Sequence, residues 1–148
     1  MLHRVKKQND YNKDKWIGIG GKFEEGESPE ECVKREVLEE TGFTLKSLEY
    51  RGIVTFVSYN SEDKNDSIFE FMHLFWSSQF SGNLKECDEG KLEWIDKSKM
   101  NDLPHWKGDE IFLKLLDEKC PFFSLKLVYE DGILQSAVLN DKSISIDS

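Results

Sequence analysis

Residues 21–43, GKFEEGESPEECVKREVLEETGF, carry the local pattern from which the fold can be worked out. Ser28 precedes Pro29 and has Glu31 three residues later, which is typical of a helix start because the hydroxyl and the carboxylate can each cap a backbone N–H. Gly42 is the residue type that commonly ends a helix. The segment therefore predicts a glycine-rich loop followed by a helix that ends just before Gly42.

Three glutamates share one face of this predicted helix. Glu36, Glu39 and Glu40 stand at i, i+3 and i+4, a spacing that brings carboxylates close together. Like charges so placed destabilise a helix unless something positive lies among them, and no Lys or Arg of the segment is placed to neutralise all three. Hard oxygen ligands suit Mg²⁺ or Mn²⁺, which bind together with substrate phosphates. We expect a divalent cation here; the alternative is a solvated acidic surface.

Arg35 and the glycine loop adjoin that acidic face. Arg35 can reach Glu39, or the Glu27 carboxylate in the turn before the helix, and would orient a carboxylate without occupying the metal position. At Gly20–Gly21 no Cβ intervenes, so a backbone carbonyl or N–H can approach a metal and phosphates closely. These residues predict a site that is completed by a phosphorylated ligand.

Length and charge limit the classes of protein. The 148 residues suit a single domain spanning 1–148, and no apolar run is long enough for a membrane helix. The net charge of −9 argues against binding to polymeric nucleic acid. Cys32, Cys87 and Cys120 are odd in number and form no CxxC pair, so we expect reduced thiols. No secretory signal follows the basic N-terminus, and the cytoplasm is the expected compartment.

The rest of the chain alternates strand-like and helical patterns. β-Branched and aromatic content with turn residues between predicts two hairpins and one shorter strand, and the N-terminus is read as the remnant of a further strand. The predicted strands are residues 1–5, 53–59, 67–80, 91–95, 122–129 and 133–138. A second helix is predicted over 109–118, and the tail at 141–148 is expected to be flexible. Strands mixed with two helices indicate an α/β or α+β layered sandwich, with a helix on each side of a mixed sheet.

The motif as a whole has a family counterpart. Gly21 is followed after five residues by Glu27, and after seven more by REVLEETGF. This segment resembles, position for position, the signature of the Nudix hydrolases. The resemblance implies an α/β/α sandwich and Mg²⁺-dependent hydrolysis of a nucleoside diphosphate linked to another group. It also implies the following metal ligands, with Glu27 and Arg35 in support: Glu36, Glu39, Glu40 and the carbonyl of Gly20.

Outside the motif the chain is most similar to the MutT-like 8-oxo-dGTP diphosphatases, through stretches such as WIGIGGKFEEGE, PHWKGDEIF and PFFSLKLVYEDG. This resemblance implies that Trp106 stacks on the purine and that Asp109 hydrogen-bonds its edge; alternatively, Trp106 fills the sheet and Asp109 caps a helix. Glu89 would bind a further metal or activate water, or else is a solvated turn acid. Gly21 and Lys22 are the remaining implied substrate contacts.

Two departures from the family pattern bear on this inference. Where some relatives have an asparagine that contacts the purine, this chain has Ile17, which offers no side-chain hydrogen bond. The chain also opens almost at the segment MLHRV, so either the numbering omits an N-terminal strand of the family or the sheet lacks that strand.

The expected function is Mg²⁺-dependent conversion of a modified purine nucleoside triphosphate, such as 8-oxo-dGTP, to the monophosphate and pyrophosphate. Such an enzyme would cleanse the nucleotide pool and so serve DNA repair. The alternatives are a Nudix hydrolase of ADP-ribose or a dinucleoside polyphosphate, or a nucleotide-sensing domain without catalysis. The expected partner is a small nucleotide, with the protein as a monomer or homodimer.

Overall fold

The fold is given by a computed structural model. The structure describes residues 21–63, 65–83 and 106–146, together with the backbone of three short strands. In chain order the elements are β1 (Leu2–His3), β2 (Trp16–Ile17), α1 (Pro29–Thr41), β3 (Phe43–Leu45), β4 (Glu49–Tyr59), β5 (Ile68–Trp76), β6 (Phe80–Gly82), β7 (Lys91–Leu92), α2 (Asp109–Asp117), β8 (Phe123–Glu130), β9 (Ile133–Leu139) and β10 (Lys142–Ile144).

The chain forms two compact units, one of residues 1–48 with 77–106 and one of residues 49–76 with 107–148. In the first unit, β1 pairs antiparallel with both β2 and β7, and β3 pairs antiparallel with β6. Helix α1 packs against β3. This unit contains the motif segment.

Helix α1 has the boundaries that its sequence predicts. The Glu31 N–H donates to Ser28 Oγ at 3.1 Å, and the Ser28 N–H donates to Glu31 Oε1 at 3.1 Å, which completes a reciprocal capping box. At the other end Gly42 takes the left-handed conformation, with φ of 84°, and its N–H donates to the Leu38 carbonyl. The prediction of this helix is confirmed.

A five-stranded mixed sheet makes up most of the second unit. Its strand order is β10-β9-β8-β4-β5, with β4 and β8 parallel and the other neighbours antiparallel. The two predicted hairpins, β4 with β5 and β8 with β9, are confirmed. Asp131 and Gly132 form the second turn with φ of 52° and 81°, as a tight hairpin with the right-handed strand twist requires. A mixed sheet with two helices confirms the α/β class.

The core of this sheet lies on one face of β8. Its inward residues are fully buried and alternate with exposed neighbours, because successive side chains on a strand point to opposite faces. The buried residues are Phe123, Leu125, Leu127 and Tyr129.

Two polar contacts connect α2 to the sheet of its own unit. The Tyr129 hydroxyl accepts the Gly108 N–H at 2.7 Å, just before the first helical residue. Buried Arg51 donates to the Cys120 carbonyl at 3.2 Å and to the Leu116 carbonyl at 3.4 Å, at the other end of the helix. The two contacts provide one donor or acceptor at each end of α2, where backbone groups lack helical partners.

One strand prediction needs correction, and a further strand lies within the tail. The strand predicted over 67–80 stops at Trp76, and Phe80 belongs to β6, because the intervening segment turns and pairs with Ser47: the Gln79 N–H donates to Ser47 Oγ at 3.2 Å. The tail predicted to be flexible contains β10. Asn140 explains why, since its N–H donates to the Ser124 carbonyl at 2.8 Å and its Oδ1 accepts the Ser124 N–H at 2.9 Å. In the described part of the chain, neither helix has the length and apolarity that a bilayer crossing requires.

Candidate active site

Arg35 is the centre of the motif segment. Its Nε and Nη2 donate to the two oxygens of Glu27 at 2.7 and 2.9 Å, which is a bidentate pair. Its Nη1 donates to Glu36 Oε1 at 2.8 Å and to Glu39 Oε2 at 3.1 Å. Nη2 also donates to the Lys22 carbonyl at 2.9 Å. One guanidinium therefore hydrogen-bonds three carboxylates of the motif and the backbone of the glycine loop. Its Nη1 also lies 3.6 Å from Oε1 of a fourth carboxylate, Glu24.

Arg35 and Glu27 stabilise each other's charged forms. The hydrogen bond from Arg35 holds the pKa of Glu27 below its ordinary value, and hydrogen bonding to Glu27 holds the pKa of Arg35 above its own. Both side chains are largely covered, with 14% and 20% of their surfaces exposed. The pair is therefore fully charged at neutral pH.

The turn before α1 is fixed by the same carboxylate. The Glu24 N–H donates to Glu27 Oε1 at 2.8 Å, and the Glu27 N–H donates back to the Glu24 carbonyl at 3.1 Å. Gly26 completes this turn with φ of 82°, a conformation that suits glycine. Glu27 thus holds the loop and Arg35 in one arrangement.

The three glutamates predicted as metal ligands have different surroundings. The side chain of Glu36 is 14% exposed and that of Glu39 is 58% exposed, and both contact Arg35. Glu40 is buried, with 6% of its surface exposed. The sequence predicts that no basic residue neutralises all three glutamates. In the structure Arg35 contacts two of them, Glu36 and Glu39. Within the described residues, no group of three or more His, Cys, Asp or Glu side chains is arranged to hold a metal ion.

The donor chemistry of this face nevertheless fits a hard divalent cation. Glu36 and Glu39 each present a carboxylate oxygen to the same atom, Arg35 Nη1, so their oxygens converge on one positive group. Carboxylate oxygens are the ligands that Mg²⁺ and Mn²⁺ prefer. The residues that could hold such an ion are therefore close to the arginine, which contacts one oxygen of each carboxylate.

The glycine loop lies directly on α1. Gly21 packs against the Glu36 carboxylate, and its carbonyl is 4.0 Å from the Cys32 sulfur. The Cys32 sulfur is also 3.9 Å from Arg35 Nη2. Burial raises the pKa of the Cys32 thiol, which keeps it neutral beside the carboxylates. The Lys22 side chain is exposed, while its carbonyl faces Arg35.

The predicted base-binding residues lie outside the motif. Trp106 and Asp109 are each half-buried. Asp109 is the first residue of α2, and the N-cap position is occupied by Gly108 without a side-chain cap. Gly20 and Glu89 lie outside the described residues.

The family follows from a match that covers most of the chain. The NUDIX domain model matches residues 1–116. The chain belongs to the Nudix family. It is a hydrolase of this family, and Nudix hydrolases generally use divalent metal cations.

Two relatives are named as oxidized purine nucleoside triphosphate hydrolases. The Nudix chain is 30% identical over 116 residues to an oxidized purine nucleoside triphosphate hydrolase of Danio rerio, covering 78% of this chain and 71% of that protein. It is 30% identical over 129 residues to the Mus musculus protein of the same name, covering 86% and 80%. It is 36% identical over 96 residues to the Nudix hydrolase YvcI of Bacillus subtilis, covering 64% and 59%.

A solved relative shares the fold. The crystal structure of the mutator MutT protein from Bacillus halodurans superposes with a TM-score of 0.77 at 33% sequence identity, covering 86% of this Nudix chain and 84% of that one. The α/β class and the similarity to MutT-like proteins are thus both confirmed.

Some contacts at the site were beyond prediction from the sequence. Spacing along the helix predicted that Arg35 could reach Glu39 or Glu27, whereas the structure brings it to both and also to Glu36. The role of the Lys22 carbonyl carries no side-chain signature, so no sequence pattern could have revealed it. The contact of Cys32 with Gly21 joins a helix residue to a loop residue, and helix spacing does not indicate such a contact.

Proposed function

We propose that this Nudix hydrolase converts a modified purine nucleoside triphosphate, such as 8-oxo-dGTP, to the monophosphate and pyrophosphate with the help of Mg²⁺. The observation that carries the proposal is the convergence of Glu27, Glu36 and Glu39 on Arg35 within the family motif. The relatives named as oxidized purine nucleoside triphosphate hydrolases support the choice of substrate class.

The proposed ligands of the cation are Glu36, Glu39, Glu40 and the Gly20 carbonyl. A bound Mg²⁺ or Mn²⁺ supplies charge to neutralise phosphate oxygens and lowers the pKa of coordinated water. The exposed Glu39 is the carboxylate most accessible to an arriving ion, because 58% of its side chain faces solvent. Glu89 is proposed to assist as a further acid or base.

The contribution of Arg35 is orientation. It holds the Glu27 carboxylate in a bidentate pair and directs one oxygen each of Glu36 and Glu39 to the same side. A guanidinium stays protonated throughout any working pH, so Arg35 can hold this orientation wherever the carboxylates are ionised. Lys22 and Gly21, on the loop beside it, are the proposed contacts of the phosphate chain.

Recognition of the base is proposed to rest on Trp106 and Asp109. An indole ring supplies a stacking surface and a carboxyl group supplies a hydrogen-bond partner for the purine edge. Replacing Trp106 by Ala would then raise KM more than it lowers kcat. Ile17 stands where some relatives have asparagine, so selectivity for the oxidised base would come from other residues.

The cellular setting that fits this chemistry is the nucleotide pool. A small nucleotide is the proposed partner, with the enzyme acting in the cytoplasm as a monomer or homodimer. Removal of oxidised nucleotides before their incorporation would serve DNA repair. The net charge of −9 does not favour a polymeric nucleic acid as the substrate.

The experiment is a nucleotide screen. Purified protein with Mg²⁺ is given 8-oxo-dGTP, dGTP, ADP-ribose and a dinucleoside polyphosphate, and the products are separated into monophosphate, pyrophosphate and phosphate. The proposal predicts release of pyrophosphate, with 8-oxo-dGTP giving the highest kcat/KM. A preference for ADP-ribose or a dinucleoside polyphosphate would contradict the substrate, and the absence of any Mg²⁺-dependent turnover would favour a sensing domain.

A further inference from the structure

Gly21 and Gly26 lie in the same loop but need to be glycine for different reasons. Gly26 has φ of 82°, which side chains rarely adopt, and a Cβ built on it would meet nothing within 4 Å. Gly21 is the opposite case, since its φ lies outside the left-handed region. A Cβ on Gly21 would lie less than 3.0 Å from three atoms of Glu36, the carboxyl carbon and both oxygens. Position 26 therefore requires glycine because of its positive φ, and position 21 requires glycine because a side chain would collide with Glu36.

The space beside Gly21 is defined by α1. Cys32 and Glu36 are one helical turn apart on the same face. The Gly21 carbonyl lies against the Cys32 sulfur, and the Gly21 Cα lies under the Glu36 carboxylate. The next carbonyl, that of Lys22, accepts from Arg35 Nη2 at 2.9 Å. Three consecutive contacts thus fix this stretch of backbone along the helix.

We infer that Gly21 is a positioning residue whose missing side chain forms the seat of the Glu36 carboxylate. Seated there, Glu36 keeps Oε1 at 2.8 Å from Arg35 Nη1 and remains 14% exposed. Any side chain at position 21 would push the carboxylate away from the loop and out of this contact. The contact that a substrate phosphate would make with Gly21 is separate from this role.

The consequence for catalysis rests on the proposed function. If Glu36 helps to hold the cation, then displacing its carboxylate by about 1 Å misaligns it, and misplacements of that size cost about 100-fold in rate. Gly21→Ala should therefore lower kcat about 100-fold while KM for the nucleotide changes by less than about threefold. A rise in KM with kcat unchanged would instead assign Gly21 to substrate binding alone.

A set of double variants tests the seat of the Glu36 carboxylate by thermal unfolding, without any measurement of enzymatic activity. Gly21→Ala is made in three backgrounds: wild type, Glu36→Gln and Glu36→Ala. Glutamine has the shape of glutamate without its charge, whereas alanine leaves the seat empty. We expect the mutation to lower the thermal midpoint of the ion-free protein by similar amounts in the first two backgrounds and to have no effect in the third.

The matched control is Gly26→Ala, which should lower the midpoint equally in all three backgrounds, because its cost is conformational. An undiminished effect of Gly21→Ala in the Glu36→Ala background, or no effect in wild type, would overturn the inference. The Gly21→Ala single variant could fail to fold. In that case the inference predicts that the Gly21→Ala/Glu36→Ala double variant folds, and failure of the double variant to fold would also overturn the inference. Because the experiment measures only unfolding, its failure is distinguishable from a failure of the proposed function.

Discussion

Different forces stabilise two regions of the molecule, the motif segment of residues 21–43 and the five-stranded sheet of β4, β5 and β8–β10. In the sheet, Leu125 and Val54 have no exposed surface, and apolar burial dominates. In the motif segment, Arg35 and the carboxylates around it account for most of the described contacts, and apolar Leu38 is half exposed. The comparison teaches that the site is organised by charge and the sheet by packing. Mutations, salt and pH should therefore separate the two regions.

The largest expected effect is in the sheet. Leu125→Ala removes a side chain with 0% exposure and should lower the free energy of unfolding by about 3–5 kcal/mol. The matched control is Leu38→Ala, the same change at a residue 48% exposed in the motif segment, which should cost below about 1 kcal/mol. Urea denaturation measures both values. Equal losses for the two variants would remove the distinction between the regions.

The next effect is confined to the site. Arg35→Lys keeps the positive charge but cannot make the bidentate pair with Glu27 while also contacting Glu36. We expect kcat for the nucleotide chosen by the screen to fall about 10- to 100-fold, with a thermal midpoint closer to that of wild type than that of Leu125→Ala. Steady-state kinetics and a thermal melt provide the two readouts. A variant with full activity would show that charge alone suffices at position 35.

A smaller effect is expected at the start of α1. Ser28→Ala removes the hydroxyl that accepts the Glu31 N–H at 3.1 Å, and a lost N-cap of this type costs about 1 kcal/mol. Ser28→Gly, which keeps a tolerated cap residue, should cost only a few tenths of a kcal/mol. Urea unfolding of both variants measures the difference. Equal stabilities of the two variants would mean that the capping box contributes little to this helix.

The smallest effects are in the pH dependence of stability, and each region has its own carboxylate for this test. The hydrogen bond from Arg35 lowers the pKa of Glu27 from its ordinary 4.5, and hydrogen bonds from Ser61 lower the pKa of Asp131 from 3.8. A lowered pKa in the folded state stabilises the protein above the ordinary pKa, and this contribution is lost as the pH falls through the lowered value.

Wild type should therefore exceed Glu27→Gln in stability at pH 7, and this difference should begin to shrink near pH 4.5 and vanish only below the lowered pKa of Glu27. For Asp131→Asn the difference should begin to shrink near pH 3.8. Added salt should shrink the Glu27 difference more, since its partner is an ion and Ser61 is neutral. Thermal melts between pH 2.5 and 7 measure both. A stability difference that grows as the pH falls would contradict the sign of these shifts.

The comparison also explains what could be predicted from the sequence. The ends of α1 were predictable because the hydrogen-bond partners of Ser28, Glu31 and Gly42 lie within about one helical turn along the chain. The two hairpins were predictable because their turns join neighbouring strands. The parallel pairing of β4 with β8 and the antiparallel pairing of β3 with β6 join residues that are distant in sequence, and no local pattern identifies such partners.

The candidate site divides in the same way. The identities of its charged residues were readable from spacing, because helix geometry fixes which carboxylates share a face. The contacts of these residues could not be predicted from the spacing. Which oxygens Arg35 takes, the burial of Glu40 and the fit of Gly21 under Glu36 depend on how the loop folds back on the helix. Relations of that kind are set by tertiary packing.

The central claim is that the carboxylates gathered on Arg35 make up the active site of a cation-dependent nucleotide hydrolase. The direct measurement is Mg²⁺-dependent pyrophosphate release by Glu39→Gln, with Glu30→Gln as the control on the exposed first turn of the same helix. We predict that Glu39→Gln loses at least about 1,000-fold in kcat with an unchanged thermal midpoint, while Glu30→Gln keeps full activity. Pyrophosphate release by Glu39→Gln at the wild-type rate would contradict the claim.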